Sequence, residues 1–294
     1  MHPSRFLFKT AWSSALLFTM LATSPSAQAQ IFDFNTAGQL EHDFYSTGGT
    51  AWSQAAAGGL NNSGWAITGS GNAAHAAEVL DQTFAGDVDS FTLSIYFQWK
   101  TLTQTTPGTS LYLGFGTNTN EGSLFTPQTG GGSAGTETLQ FGINSVAASP
   151  TNQTVRLYGY SVVNGVGTVF TGATTEEGLV DQQWYHLSGV VTRNANGNGY
   201  QLNLALSKSN AMGSIGETMA SYSSPVDGFI NPALVAGDVH AYFITGSNVQ
   251  TRGIAGVDDF RVTAIPEPSV AAGWLLGTLL VGTHLLRSGR LKRS

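Results

Sequence analysis

Apolar and polar residues alternate at every second position through most of the middle of the chain. Phe91, Leu93, Ile95, Phe97 and Trp99 fall on one side of an extended segment, and Thr92, Ser94, Tyr96 and Gln98 on the other. That is the period of a strand with one face buried. Leu139, Phe141 and Ile143 repeat the pattern, as do Val155 and Leu157, and then Tyr200, Leu202, Leu204 and Leu206. Between 184–192 and Tyr200–Ser207 lie Asn196-Gly197 and Asn198-Gly199, residues that tolerate positive φ, so this stretch predicts a β-hairpin. Further strands are expected at Ile31–Phe34, Leu111–Phe115, Ala241–Ile244 and Val257–Thr263. Ala73–Leu80 fits two helical turns or a strand equally well. Thr129–Gly135 and Leu60–Gly64 read as loops, and Gly69-Ser70-Gly71 and Gly114-Phe115-Gly116 as turns, because neither glycine pair has the strand–helix setting of a nucleotide loop. Many short strands with Gly-rich turns predict an all-β, antiparallel β-sandwich, with a barrel as the alternative.

The two ends follow a different pattern. Arg5 and Lys9 precede an apolar run from Ala11 to Ala22, and Ala27-Gln28-Ala29 follows Pro25 and Ser26, the order of a cleavable signal peptide with a mature start at Gln30. At the other end Val270–Leu286 is apolar apart from Thr278, Thr283 and His284, and Arg287, Arg290, Lys292 and Arg293 come next. As a helix that segment reaches about 25 Å, the short edge of what crosses a membrane, and the terminal cations hold its end on the cytoplasmic side. The expected division is a signal peptide over 1–29, a sandwich domain over 30–264 and a tail over 265–294. The protein is then exported, with its middle outside the cell.

Setting the ends aside changes the charge. Of the 12 Lys and Arg residues only six lie between Gln30 and Leu286, against all 18 acids, a net charge of −12 where the whole chain carries −6. Nucleic acid is excluded as a partner, since its binding rests on cationic contacts to phosphate. Neutral sugars and cations suit such a surface. The chain has no cysteine, hence no disulfide framework and no thiolate metal site.

Ile265-Pro266-Glu267-Pro268-Ser269, the apolar segment with Trp274 and the basic end together resemble the tail of PEP-CTERM proteins. The resemblance covers about thirty residues. It implies Pro266, Glu267 and Pro268 as a sorting motif, processing by a membrane protease of the exosortase type after signal peptidase, and a place at the cell surface alongside exopolysaccharide. Phe91–Trp99, Gln183-Trp184-Tyr185-His186-Leu187 with its hairpin, and Val257-Asp258-Asp259-Phe260-Arg261-Val262 resemble the concanavalin A-like or LamG-like jelly roll. A galactose-binding-type jelly roll presents similar strands.

Candidate chemistry is sparse. Glycanases of the resembled sandwich family use Glu-x-Asp-x-x-Glu on one strand, paired carboxylates being what glycoside cleavage requires; Glu41-His42-Asp43 is the nearest string here, and Ser46 stands where the third acid belongs. Glu176 and Glu177 are adjacent and would face opposite ways on a strand. Alternation in phase with Phe260 and Val262 aims Asp258 inward, where it needs a partner: Ca2+ shared with Asp33, or backbone N–H groups of a turn. Trp52 and Trp65, in Gly-rich polar surroundings, are the candidates for stacking on sugar rings, whereas Trp99 belongs to the core. His42, His75, His186 and His240 show no metal spacing. The expected function is a non-catalytic surface or matrix protein binding polysaccharide through its sandwich; an extracellular glycan hydrolase and a purely structural envelope protein are the alternatives.

Overall fold

The computed structural model describes residues 28–47, 52–68, 75–79, 88–102, 108–117, 137–146, 152–164, 166–236, 239–245 and 253–266. One compact unit, Gln28–Ile265, holds all of them but Pro266. Residues 1–27 of the signal segment, the calls on Glu267 and Pro268, the apolar stretch Val270–Leu286 and the basic end lie outside the described residues, whereas Gln28 and Ala29 of the expected cleavage site belong to the first strand. Among the described residues no helix is long and apolar enough to cross a membrane.

In chain order the strands are β1 (Gln28–Phe32), β2 (Phe44–Thr47), β3 (Ser53–Ala55), β4 (Trp65–Ile67), β5 (His75–Val79), β6 (Val88–Trp99), β7 (Gly108–Gly116) and β8 (Thr138–Ser145). They continue with β9 (Val155–Val163), β10 (Val166–Thr174), β11 (Trp184–Arg193), β12 (Gly199–Ser209), β13 (Ile215–Ser223), β14 (Phe229–Ile230), β15 (His240–Thr245) and β16 (Ile254–Pro266). Two short helices, α1 (Gln39–Asp43) and α2 (Pro232–Ala236), and a 3-10 turn at Leu60–Asn62 complete the described elements. Of Ala73–Leu80, the described part, His75–Val79, is strand and not helix.

Among the described residues nine strands form one sheet, ordered β13-β12-β11-β6-β16-β4-β3 with β1 on β16 and β14 on β12, and seven form the other, ordered β10-β9-β8-β7-β15-β5-β2. The predicted hairpin is β11–β12, antiparallel from Trp184↔Ser209 to Arg193↔Tyr200. The inner faces meet through rings from opposite sheets: Phe91 and Phe115 have centroids 4.9 Å apart, Phe243 and Phe260 5.2 Å, Phe170 and Tyr222 4.7 Å. This is the expected antiparallel sandwich. Trp99 is fully buried, its indole N–H donating to Gln153 Oε1 at 3.1 Å.

Two readings need correction. Gly114-Phe115-Gly116 is strand, not turn: Phe115 packs inward, and the glycines lie on the outer face, where a Cβ on Gly114 would come within 2.5 Å of the Tyr242 ring. Asp258 is buried, at 1 % exposure, but not in phase with Phe260. Val257 and Phe260 both join the core while Gly256 faces Trp65 and Asp258 reaches Leu60. The extra residue is Asp259, at φ 54, which slips the alternation by one as a bulge does. Glu41 and Asp43, the string nearest the glycanase motif, sit on α1, without the strand that motif uses.

Candidate functional site

On the outer face of the seven-stranded sheet the registers place one residue of each strand in a transverse row. From β10 to β2 it reads Val169, Tyr160, Gln140, Gly114, Tyr242, Glu78 and Tyr45. The next row reads Thr171, Tyr158, Gly142, Tyr112 and Ile244. Two of the rings lie over a glycine that makes room for them. The Tyr242 ring covers Gly114, and a Cβ on Gly142 would come within 2.4 Å of Tyr112 Cδ1.

The result is a tyrosine cluster on the far side of the sheet from the main core. Tyr112 is 5.8 Å from Tyr160 at 87° and 6.3 Å from Tyr158 at 15°, so edge and face contacts alternate. Tyr112, Tyr160 and Tyr242 are buried, whereas Tyr45 and Tyr158 form the part-exposed rim. Polar groups are fixed among them: the Tyr112 hydroxyl donates to Asn144 Oδ1 at 2.6 Å, and the Tyr242 hydroxyl to Gln140 Oε1 at 3.4 Å. The Arg156 guanidinium carbon sits 5.5 Å from the Tyr158 ring centre. Burial pushes the Tyr160 and Tyr242 phenols up, so both stay protonated donors.

Glu78 stands in the first row between Tyr242 and Tyr45, with His240 Nδ1 3.6 Å from its Oε1. Burial raises its carboxyl from 4.5 to about 7. The folded protein thus keeps a proton that the unfolded chain releases, so stability falls as pH climbs from about 4.5 to about 7 and is level above that. Glu78→Gln is expected to flatten this window and to stabilise the protein at pH 8 by about 2–3 kcal/mol; urea midpoints of both proteins at pH 5 and pH 8 measure it.

The residues expected from sequence fall elsewhere. Trp52 is 5 % exposed and meets Phe243 edge-on at 5.0 Å, so it has no face to offer a sugar; it is core. Trp65 is half-buried, its ring 5.8 Å from Trp184, in a cluster with Leu60 and Tyr96 on the outer face of the nine-stranded sheet. His186 packs on Tyr96 there at 4.5 Å, and burial lowers its pKa to about 4. Asp258 Oδ2 accepts from Leu60 N–H and from the Ser63 hydroxyl, both at 2.8 Å, and Oδ1 accepts from Asp259 N–H at 2.7 Å. Asp33 Oδ1 accepts from Asn35 N–H at 3.2 Å, so the two acids serve different turns. Among the described residues no group of three or more His, Cys, Asp or Glu gathers as a metal site. Glu177 lies outside any strand and pairs with Lys208 at 3.1 Å.

The tyrosine face itself went unread in the sequence. Its signal is the second phase of strands whose first phase is Leu, Phe and Ile: Tyr112-x-Gly114-x-Gly116, Gln140-x-Gly142-x-Asn144, Arg156-x-Tyr158-x-Tyr160 and His240-x-Tyr242.

No family model and no curated protein matches the chain. Among solved structures it is similar to peanut lectin with a 9mer peptide, at 13 % identity and TM-score 0.48 over 83 % of this chain and 100 % of that one. It is also similar to the protein of unknown function SO2946 from Shewanella oneidensis MR-1, at 14 % identity and TM-score 0.43 over 90 % and 96 %. A third is the marine PL-14 alginate lyase from Aplysia kurodai, at 11 % identity and TM-score 0.48 over 82 % and 98 %. These are distant likenesses, and the architecture rests on the strand order and registers above.

Proposed function

We propose that this is an exported, non-catalytic polysaccharide-binding sandwich whose ligand rests on the outer face of the seven-stranded sheet. The observation that carries the reading is the rim of that face: half-buried Tyr158 and Tyr45 beside Asn144, Arg156 and Glu78, held by the buried tyrosines beneath. Ring faces take the apolar side of a pyranose, and fixed amide and guanidinium N–H groups donate to its hydroxyl oxygens, the composition expected of a ligand site. Trp52 and Trp65 are replaced in this role by the tyrosines. The surrounding assignments belong to the same proposal: a signal peptide removed before Gln30, a tail at Pro266-Glu267-Pro268 processed by an exosortase-type protease, and a final place in the cell envelope or matrix. Calcium, if the protein takes it, would have to be held without the Asp258–Asp33 pair.

The full chain is expected to be retained by at least one glycan of a broad polysaccharide panel in affinity electrophoresis. Tyr158→Ala should weaken that retention about fivefold or more, as loss of about 1 kcal/mol of ring contact implies, while Trp52→Phe leaves it unchanged. A wild-type chain that passes every gel unretarded would sink the proposal.

One observation favours a second reading. Glu78, protonated up to about pH 7 beside His240, is the state a general acid of glycoside cleavage needs. Release of reducing ends by the full chain, abolished in Glu78→Gln, would establish that reading over binding alone.

A further inference from the structure

The third row of the same face carries its own chemistry. Asn144 on β8, Arg156 on β9 and Thr174 on β10 are in register side by side, one strand repeat of about 7 Å from the row that holds Tyr158. Asn144 spends its oxygen on the Tyr112 hydroxyl at 2.6 Å, and its Nδ2 has no partner among the described residues. Arg156 Nε is buried and has no acceptor among the described residues. No ion pair of Arg156 is found among the described residues, although the domain is strongly acidic, and its one described contact is the Tyr158 ring at 5.5 Å. Arg261 and Lys208, by contrast, are each held by carboxylates, at 2.5 Å from Asp259 and at 3.1 Å and 3.3 Å from Glu177 and Glu217.

A cation with a buried, unanswered N–H, flanked by an amide donor and a hydroxyl, lacks one thing: an anionic acceptor. Guanidinium groups take carboxylates through two parallel hydrogen bonds. The aromatic ring one row away supplies a floor for the sugar that bears such a carboxylate. The negative charge of the rest of the domain opposes an acidic polymer at long range, but salt screens it within about 8 Å at physiological ionic strength, leaving the local donors to decide.

We propose that Asn144, Arg156 and Thr174 form a subsite for the carboxylate of a uronic acid residue, with Tyr158 under its ring, so that the protein selects acidic over neutral polysaccharide. The inference rests on the polysaccharide-binding reading above and adds the class of ligand. Its test uses the full chain in affinity electrophoresis and titration calorimetry, with polygalacturonate, polymannuronate and a polyglucuronate, the same polymers with carboxyls reduced to alcohols, and a sulfated galactan. Wild type is expected to bind one polyuronate at least tenfold more tightly than its reduced form, as loss of a charge-assisted bond implies. Arg156→Gln should abolish that difference, the native polymer falling to the level of its reduced form on the same variant, and Arg156→Lys should keep part of it. The comparison of native with reduced polymer on wild type does not depend on a variant folding. Equal binding of the two forms overturns the subsite and leaves polysaccharide binding standing. Preference for the sulfated galactan over every polyuronate overturns the carboxylate assignment. Binding of no glycan at all overturns the subsite and the function together.

Discussion

Phe141→Ala is expected to lower the free energy of unfolding by about 3–5 kcal/mol, the usual cost of emptying a ring-sized space in a core. Phe141 is fully buried on β8, and its ring lies where β11 has no side chain: a Cβ on Gly189 would come within 2.3 Å of Phe141 Cε2 and 2.4 Å of Cζ. The glycine and the phenylalanine are thus two halves of one inter-sheet contact. Gly189→Val pushes on the ring from the other side and should cost about 1–3 kcal/mol or more, as overpacking does. Combined, the two changes exchange volume across the layer, so the double variant should lose clearly less than the sum of the singles, a coupling readable as a double-mutant cycle from urea denaturation. Strict additivity would mean that the sheets do not meet at this point.

The same contact shows what the sequence disclosed and what it withheld. Phe91–Trp99 and the hairpin 184–209 were legible because each strand carries its own evidence, alternation on one face and Asn-Gly in the turn. Gly189 was not, because its meaning lies in Phe141, nearly fifty residues away, and no local pattern joins them. Edge strands β10 and β13 were also missed: Val166, Val169 and Ile215 are exposed there, so apolar residues face solvent and the period is blurred. At Gly114 and Gly116 local reasoning gave a turn, since glycine marks turns more often than strand interiors; only the register with Tyr242 shows that the missing side chain is a seat for a ring. The site suffered most. Tyr112, Tyr160 and Tyr242 come from strands scattered over more than a hundred residues, and each alone is an ordinary aromatic in a strand. Trp52 and Trp65 drew notice instead because their neighbours are polar and glycine-rich, a sign of loops that says nothing of which way a ring turns.

Asp258→Ala is expected to cost about 2–5 kcal/mol at pH 7.5. The carboxylate is the common acceptor for Leu60 N–H, the Ser63 hydroxyl and Asp259 N–H, and alanine leaves the two backbone donors with no replacement in a buried place, at about 1–3 kcal/mol each. Burial also raises Asp258 from 3.8 to about 6. The folded protein therefore favours the protonated acid, and stability contributed here decreases as pH rises from about 3.8 to about 6, then stays level. Asp258→Asn loses this slope, because its amide does not titrate, yet it cannot accept at both side-chain positions and so should fall between wild type and alanine in midpoint. The calcium reading makes the opposite claim about cause. A carboxylate ringed by three donors is occupied as an acceptor, so chelator is expected to leave the midpoint of wild type and of Asp258→Asn equally untouched. If chelation lowers the wild-type midpoint and spares Asp258→Asn, a bound cation, not the Leu60–Ser63 turn, is what this side chain holds.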